Sequence, residues 1–219
     1  MPSRKQVAAD LLFGIQIIGA VLFCGAYAIR SLSDVTGTSV AQFGMAVAFL
    51  LFHLSLSVGA HKAKASRLTS QAIWTYSIWL FLMLGVILIV LRNPAYAWNE
   101  KDTTTLITAI ALTVLTVIVI SEKHLKVSDP MSKAMFAISY KAIPQILLAW
   151  KFIEEGASGT PTASIFMGHM TILIRIGHIL FMVREGGMDR NRKWLIISET
   201  VNEISWIIAS IAWFIMMYT

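Results

Sequence analysis

Glu199, Asn202, Glu203, Trp206, Ser210 and Trp213 recur at roughly helical spacing near the C-terminal end, which lays them along one broad face of a helix. Ile197, Val201, Ile204, Ile208 and Ile211 fall on the opposite face and suit lipid. Two carboxylates, an amide and two indoles on one face can hydrogen-bond a polar solute. They can also neutralise a cation on a neighbouring element or share a proton with a histidine. Candidate partners elsewhere in the chain are Lys141, Arg175, His178 and His53.

The elements that position these groups are long and apolar. Of 219 residues, 57% are hydrophobic and 14% charged, with a mean hydropathy of +0.70, whereas a soluble domain carries about 25% charged residues. Seven stretches have the roughly 20 apolar residues needed to cross a bilayer: 11–32, 38–60, 70–92, 103–121, 131–153, 162–183 and 194–216. Continuous runs of this kind favour helices over barrel strands, which alternate in segments of about ten residues. The expected class is therefore an all-α integral membrane protein, a multi-pass chain of seven transmembrane helices in a lipid bilayer. The first stretch is too long for a signal-peptide core and is expected to remain as a span, although Arg4 and Lys5 precede it and Ala26-Tyr27-Ala28 lies within it. The one cysteine, Cys24, lies inside that span and excludes an intramolecular disulfide.

Basic residues near span ends set orientation. Arg4, Lys5, Lys62, Lys64, Arg67, Lys123, Lys126, Lys133, Arg184, Arg190, Arg192 and Lys193 fall on one side, against Arg30, Arg92, Lys101 and Lys151 on the other. This asymmetry predicts a cytoplasmic N-terminus and a C-terminus on the opposite side. The same charges read as topology signals facing lipid headgroups. No basic-aromatic module or Gly-rich phosphate loop is present, so nucleic acid is not an expected partner.

Ionisable groups at membrane depth are costly and face the bundle interior or a wet cavity. Counted from the cytoplasmic end at about 1.5 Å per residue, Glu203 lies about nine residues in, Arg175 about eight, Lys141 about ten and His53 about seven. Glu199 and His178 each lie about five residues in, so antiparallel sixth and seventh spans are expected to pair Arg175 with Glu203 and His178 with Glu199. His169 reads as a helix–helix hydrogen bond. Asn202 with Trp206 one turn later, and Trp79 with Thr75 and Tyr76 on the third span, are expected to clamp a flat or ring-shaped solute. Trp98, Trp150, Trp194 and Trp213 read as interfacial belt.

A shift of 122 positions lays residues 20–45 over 142–167 and pairs Ala20 with Ala142, Gly37 with Gly159, Thr38 with Thr160, Ala41 with Ala163 and Met45 with Met167. Such a repeat implies three spans, one linker span and three spans. It divides the chain into a first bundle over 1–97, a linker helix over 98–126 and a second bundle over 127–219. Pro144 removes a backbone donor inside the fifth span, which makes Pro144 and Gln145 a candidate hinge.

Ala142-Ile143-Pro144-Gln145-Ile146, followed by Gly159-Thr160-Pro161, resembles the PQ-loop motif. PQ-loop proteins, SWEET sugar facilitators and nicotinamide riboside transporters share the three-plus-one-plus-three plan. In the first half Leu22 and Phe23 stand where a second Pro-Gln would fall, so one half carries the motif. The cytoplasmic N-terminus is more similar to the riboside-transporter branch, since SWEET and PQ-loop proteins place it outside. The resemblance implies a transport function and makes Asn202 similar to the substrate-contacting asparagine in the third helix of a SWEET-like bundle.

The expectation is a membrane transporter or facilitator of a small polar solute, working by alternating access of two bundles, with the histidine–carboxylate layer allowing proton coupling. One alternative is a non-transporting receptor for a peptide terminus or partner protein, with Lys141 or Arg175 holding a carboxylate. A remote one is a retinal-binding photoreceptor, for which Lys141 is the only lysine deep in the bilayer. No paired aspartates, Ser-Lys dyad or His-Glu-x-x-His run is present, so neither an enzyme, a cofactor nor a metal site is expected. A homo-oligomer is compatible with the sequence.

Overall fold

The structure, a computed structural model, describes residues 4–218, with side chains from Gln6 onward, so the charges counted at Arg4 and Lys5 fall outside the described side chains. The described residues form α1 (Arg4–Ser31), α2 (Val40–Ala63), α3 (Arg67–Arg92), α4 (Glu100–Glu122), α5 (Pro130–Ala137), a π-helical segment (Ile138–Ala142), α6 (Ile143–Glu155), α7 (Thr162–Gly186) and α8 (Arg190–Tyr218). Among them α1, α2, α3, α4, α7 and α8 are long and apolar enough to cross a membrane. Large apolar side chains such as Ile29, Phe81, Ile107, Phe166, Ile204 and Phe214 point outward, while Gln16, Gln42, Gln145, Asn202 and Glu203 are buried. A bilayer solvent favours that inversion of the usual polar exterior.

Side-chain caps set the helix starts. Ser39 accepts from the Gln42 N–H at the start of α2, Ser66 and Thr69 form a capping box at α3, and Asn99 accepts from the Lys101 and Asp102 N–H groups at α4. Asp129 caps α5, with Pro130 in its first turn. The helical stretch 130–155 is divided by its own sequence. Pro144 has no N–H for the Tyr140 carbonyl and its ring crowds that group. Just before it the coil widens, and the Ile143 N–H bonds the Ile138 carbonyl five residues back.

In the packing, α3 lies against both α1 and α2, and α8 lies against both α6 and α7. The two groups meet where α1 packs on α7, and α4 packs on α2, α5 and α6. The near end of the bundle, at the start of α1, holds exposed ion pairs: Asp10 with Arg67 at 2.7 Å and Asp129 with Arg190 at 3.1 Å. At the far end lie the loops 32–39, 93–99 and 156–161.

Candidate functional site

A cavity of about 100 Å³ lies between the two groups of helices, walled by Phe23 of α1, Gln42 and Phe49 of α2, Trp79 of α3, Tyr140, Lys141 and Gln145 of the broken helix, Arg175 of α7 and Asn202 and Trp206 of α8. Phe23 links the two tryptophans, with ring centroids 5.8 Å from Trp79 and 6.2 Å from Trp206. The Trp206 indole lies over Gly168, where any Cβ would collide with it, and its N–H donates to the Ile165 carbonyl at 3.1 Å. That leaves the ring as a wall with its polar atom already used. By contrast Trp79 Nε1, Gln42 Oε1 and Asn202 Oδ1 are buried with no hydrogen-bond partner. Asn202 spends its amide N–H on Glu199 Oε2 at 3.4 Å, and Gln145 Oε1 accepts from the Ser205 hydroxyl at 2.6 Å. Buried polar atoms without partners are costly, and three on one cavity wall form a donor and acceptor set suited to an occupant.

Two openings of about 290 and 370 Å³ lie at the near end and share Arg175 with the cavity wall. Thr75 lines the first, Tyr76 lines both, and neither touches the cavity, so of the expected aromatic clamp only Trp79 and Trp206 come together. His178 lines the first opening and His53 the second, where His53 packs 4.3 Å from the Phe49 ring.

The half-buried charges exchange the partners expected of them. Arg175 lies 3.5 Å from Glu199 and donates to Gln16 Oε1 at 2.8 Å, while Glu203 lies 2.6 Å from His169 Nδ1. His169 Nε2 in turn contacts the Ser210 hydroxyl at 2.9 Å. The expected rungs, Arg175 with Glu203 and His178 with Glu199, are displaced by about one helical turn, because α7 and α8 pack in a register that neither helix encodes alone. His169 does make the helix–helix contact expected of it. Lys141 Nζ lies 4.7 Å from the Phe49 ring centroid and has no carboxylate within ion-pair distance among the described residues.

The far end is sealed. Tyr27 donates to Thr160 Oγ1 at 3.1 Å, Trp213 Nε1 donates to the Thr160 carbonyl at 2.9 Å, and the Tyr27 ring meets Phe43 edge-on at 5.0 Å. Trp213 is thus buried in the seal, not in the interfacial belt, since a seven-residue step from Trp206 keeps it on the inward face. Above it the loops 32–39 and 156–161 meet backbone to backbone. The Gly159 N–H donates to the Thr36 carbonyl at 3.0 Å, and a Cβ at Gly159 would lie 2.7 Å from Thr36 backbone atoms. Gly37, at φ +70°, abuts Gly156, where a side chain would strike the Gly156 carbonyl oxygen.

Beside this seam Lys151 Nζ lies 2.7 Å from Asp102, with both side chains almost wholly enclosed. Asp102 also accepts from the Ser39 hydroxyl at 2.6 Å and the Tyr96 hydroxyl at 3.1 Å. Burial and the neighbouring carboxylate push the Tyr96 pKa up, which keeps its phenol a donor. A depression of about 440 Å³ on this outer surface, lined by Thr36, Tyr96 and Lys151, shares no residue with the cavity.

Sequence reasoning missed Gln42, Phe23, Phe49 and Tyr140 in the cavity and Asp102 with Lys151 at the far end. The repeat shift held a clue to one of them, since Phe23 overlies Gln145 and both line the cavity. Comparison with protein-family models, with curated proteins and with solved structures found no match to this chain, so the geometry of the cavity and its seals carries the functional reading.

Proposed function

We propose that this chain is a membrane transporter or facilitator of a small polar solute, held in a state open at its near end. The observation that carries the reading is the cavity itself: three unpartnered polar atoms and two tryptophans surround it, near-end openings adjoin it, and a backbone seam closes it off at the other end. In this reading the stretch 130–155 is the fifth span and brings the six long apolar helices to seven, and the chain is two three-helix bundles over 1–97 and 127–219 joined by a linker over 98–126. Support comes from the parallel packing of α3 and α8, each against two helices of its own half, and from the meeting of the repeat-related Gly-Thr loops. With the N-terminus cytoplasmic, as the loop charges argue, the open end faces the cytoplasm. Alternating access then requires the far seam to part while Arg175 and its neighbours close the near end. Pro144 and the π segment before it form the weak point of the helix that would bend.

The test is uptake into vesicles reconstituted with purified protein, against sugars, nucleosides, amino acids and small organic acids. Accumulation of one class, with Asn202→Ala weakening apparent affinity roughly tenfold through loss of a buried hydrogen-bond partner, supports the reading. Binding without accumulation of any solute sinks it in favour of a receptor.

A further inference from the structure

The cavity wall carries two cations, Lys141 and Arg175, and no carboxylate. Arg175 is answered from outside the wall by Glu199 at 3.5 Å and by the Gln16 amide oxygen. The other enclosed lysine, Lys151, has Asp102 at 2.7 Å. Lys141 alone of these three has no carboxylate within ion-pair distance among the described residues: its close contact is the Phe49 ring face, and the carboxylate whose charge reaches it, Glu199, is already paired with Arg175. A cation at membrane depth is costly without a partner, and a ring face offsets only a small part of that cost. We infer that Lys141 holds the anionic group of the solute, which is a small organic carboxylate carrying at least one hydrogen-bond donor.

The rest of the wall fits that class. Gln42 Oε1 and Asn202 Oδ1 are acceptors lacking a donor, and Trp79 Nε1 is a donor lacking an acceptor. A hydroxy acid would set its carboxylate on Lys141, donate its hydroxyl to Asn202 or Gln42, and offer an oxygen as acceptor to Trp79 Nε1. The flanking rings of Phe23, Trp79 and Trp206 supply a flat apolar surface for its carbon skeleton. The π turn contributes position: Lys141 is the fourth of its five residues, so the widened coil carries the ammonium on the cavity side, next to Tyr140 and Gln145.

This inference rests on the solute-cavity reading above, and the experiment separates the two. Thermal melting and vesicle uptake are measured with acid and amide pairs of equal shape: lactate with lactamide, and 4-hydroxybenzoate with 4-hydroxybenzamide. The expected result is preference for the acid, with Lys141→Gln weakening the acid roughly tenfold to a hundredfold and the amide much less, so that the preference is lost. Lys141→Arg is expected to keep the preference. Lys141→Met, which removes an uncompensated charge, is expected to raise the melting point of the solute-free protein, and this also checks that the variants fold. Equal response to acid and amide, acid preference that survives Lys141→Gln, or no response to either acid overturns the inference. In the first case transport of neutral solutes leaves the transporter reading standing, whereas failure of every solute class to accumulate removes both.

Discussion

The two ends of the bundle are closed and open by different physics. At the far end, backbone meets backbone through glycines, and a fully enclosed Asp102–Lys151 pair is satisfied by Ser39 and Tyr96. At the near end, ion pairs such as Asp10–Arg67, with a long exposed arginine on a half-buried aspartate, sit beside openings of several hundred cubic ångströms. Close backbone contact excludes water only when both surfaces stay within a few tenths of an ångström of their places, so the far seal is stiff but brittle. Flexible charged side chains tolerate displacement and leave the near end adaptable. A molecule built this way rests with one side shut by shape and the other merely lined by charge.

The contrast breaks most severely at the enclosed pair. Asp102→Ala leaves the buried Lys151 with only the longer, part-exposed contact to Glu155 at 3.6 Å and is expected to cost up to about 3–5 kcal/mol, read as a large fall in melting temperature in detergent. A double change to Asp102→Leu and Lys151→Leu should recover part of that loss, because two apolar groups need no partner, while the Ser39 and Tyr96 hydroxyls still lose their acceptor. Recovery that fails would mean the pair orients α4 and α6 in a way packing alone cannot replace. A smaller effect is expected at the glycine seam. Gly159→Ala forces a methyl against the Thr36 backbone and should cost about 1–3 kcal/mol. In a Cys24→Ser background, Thr38→Cys should then label faster with a membrane-impermeant thiol reagent applied from the far side. Unchanged labelling would show that the seal lies deeper, at Tyr27, Thr160 and Trp213. The smallest effect belongs to the near end: Arg67→Ala removes a pair whose side chains are 66% and 35% exposed, and should shift stability by no more than about 1 kcal/mol. A larger change would erase the proposed difference between the ends.

Helix positions and the inward face of α8 could be read from local sequence, because apolar length and helical period are properties of a single segment. Asn202, Trp206 and Trp79 were legible for the same reason, as polar or aromatic groups at membrane depth on one face. Thr75 and Tyr76 were drawn to the same site by proximity along α3, yet the axial rise carries them out of the cavity and into the openings. Asp102 and Lys151 were hidden because a charge at a span end looks like a headgroup anchor until a neighbouring loop covers it. Phe49 carries no mark that separates a cavity wall from ordinary packing, and Phe23 is marked only by its overlay on Gln145.

By itself the sequence determined that the chain forms long apolar helices suited to a bilayer, that one of them is interrupted at Pro144, and which face of α8 turns inward. Each follows from hydropathy, missing hydrogen-bond donors or periodicity within a few turns. Only the tertiary structure decided that Arg175 meets Glu199 while Glu203 meets His169, and that Lys141 has no carboxylate within ion-pair distance among the described residues. Pairing between helices depends on axial register and rotation set by side-chain interlocking along their whole length. A slip of one turn changes every partner while leaving each helix's own pattern intact.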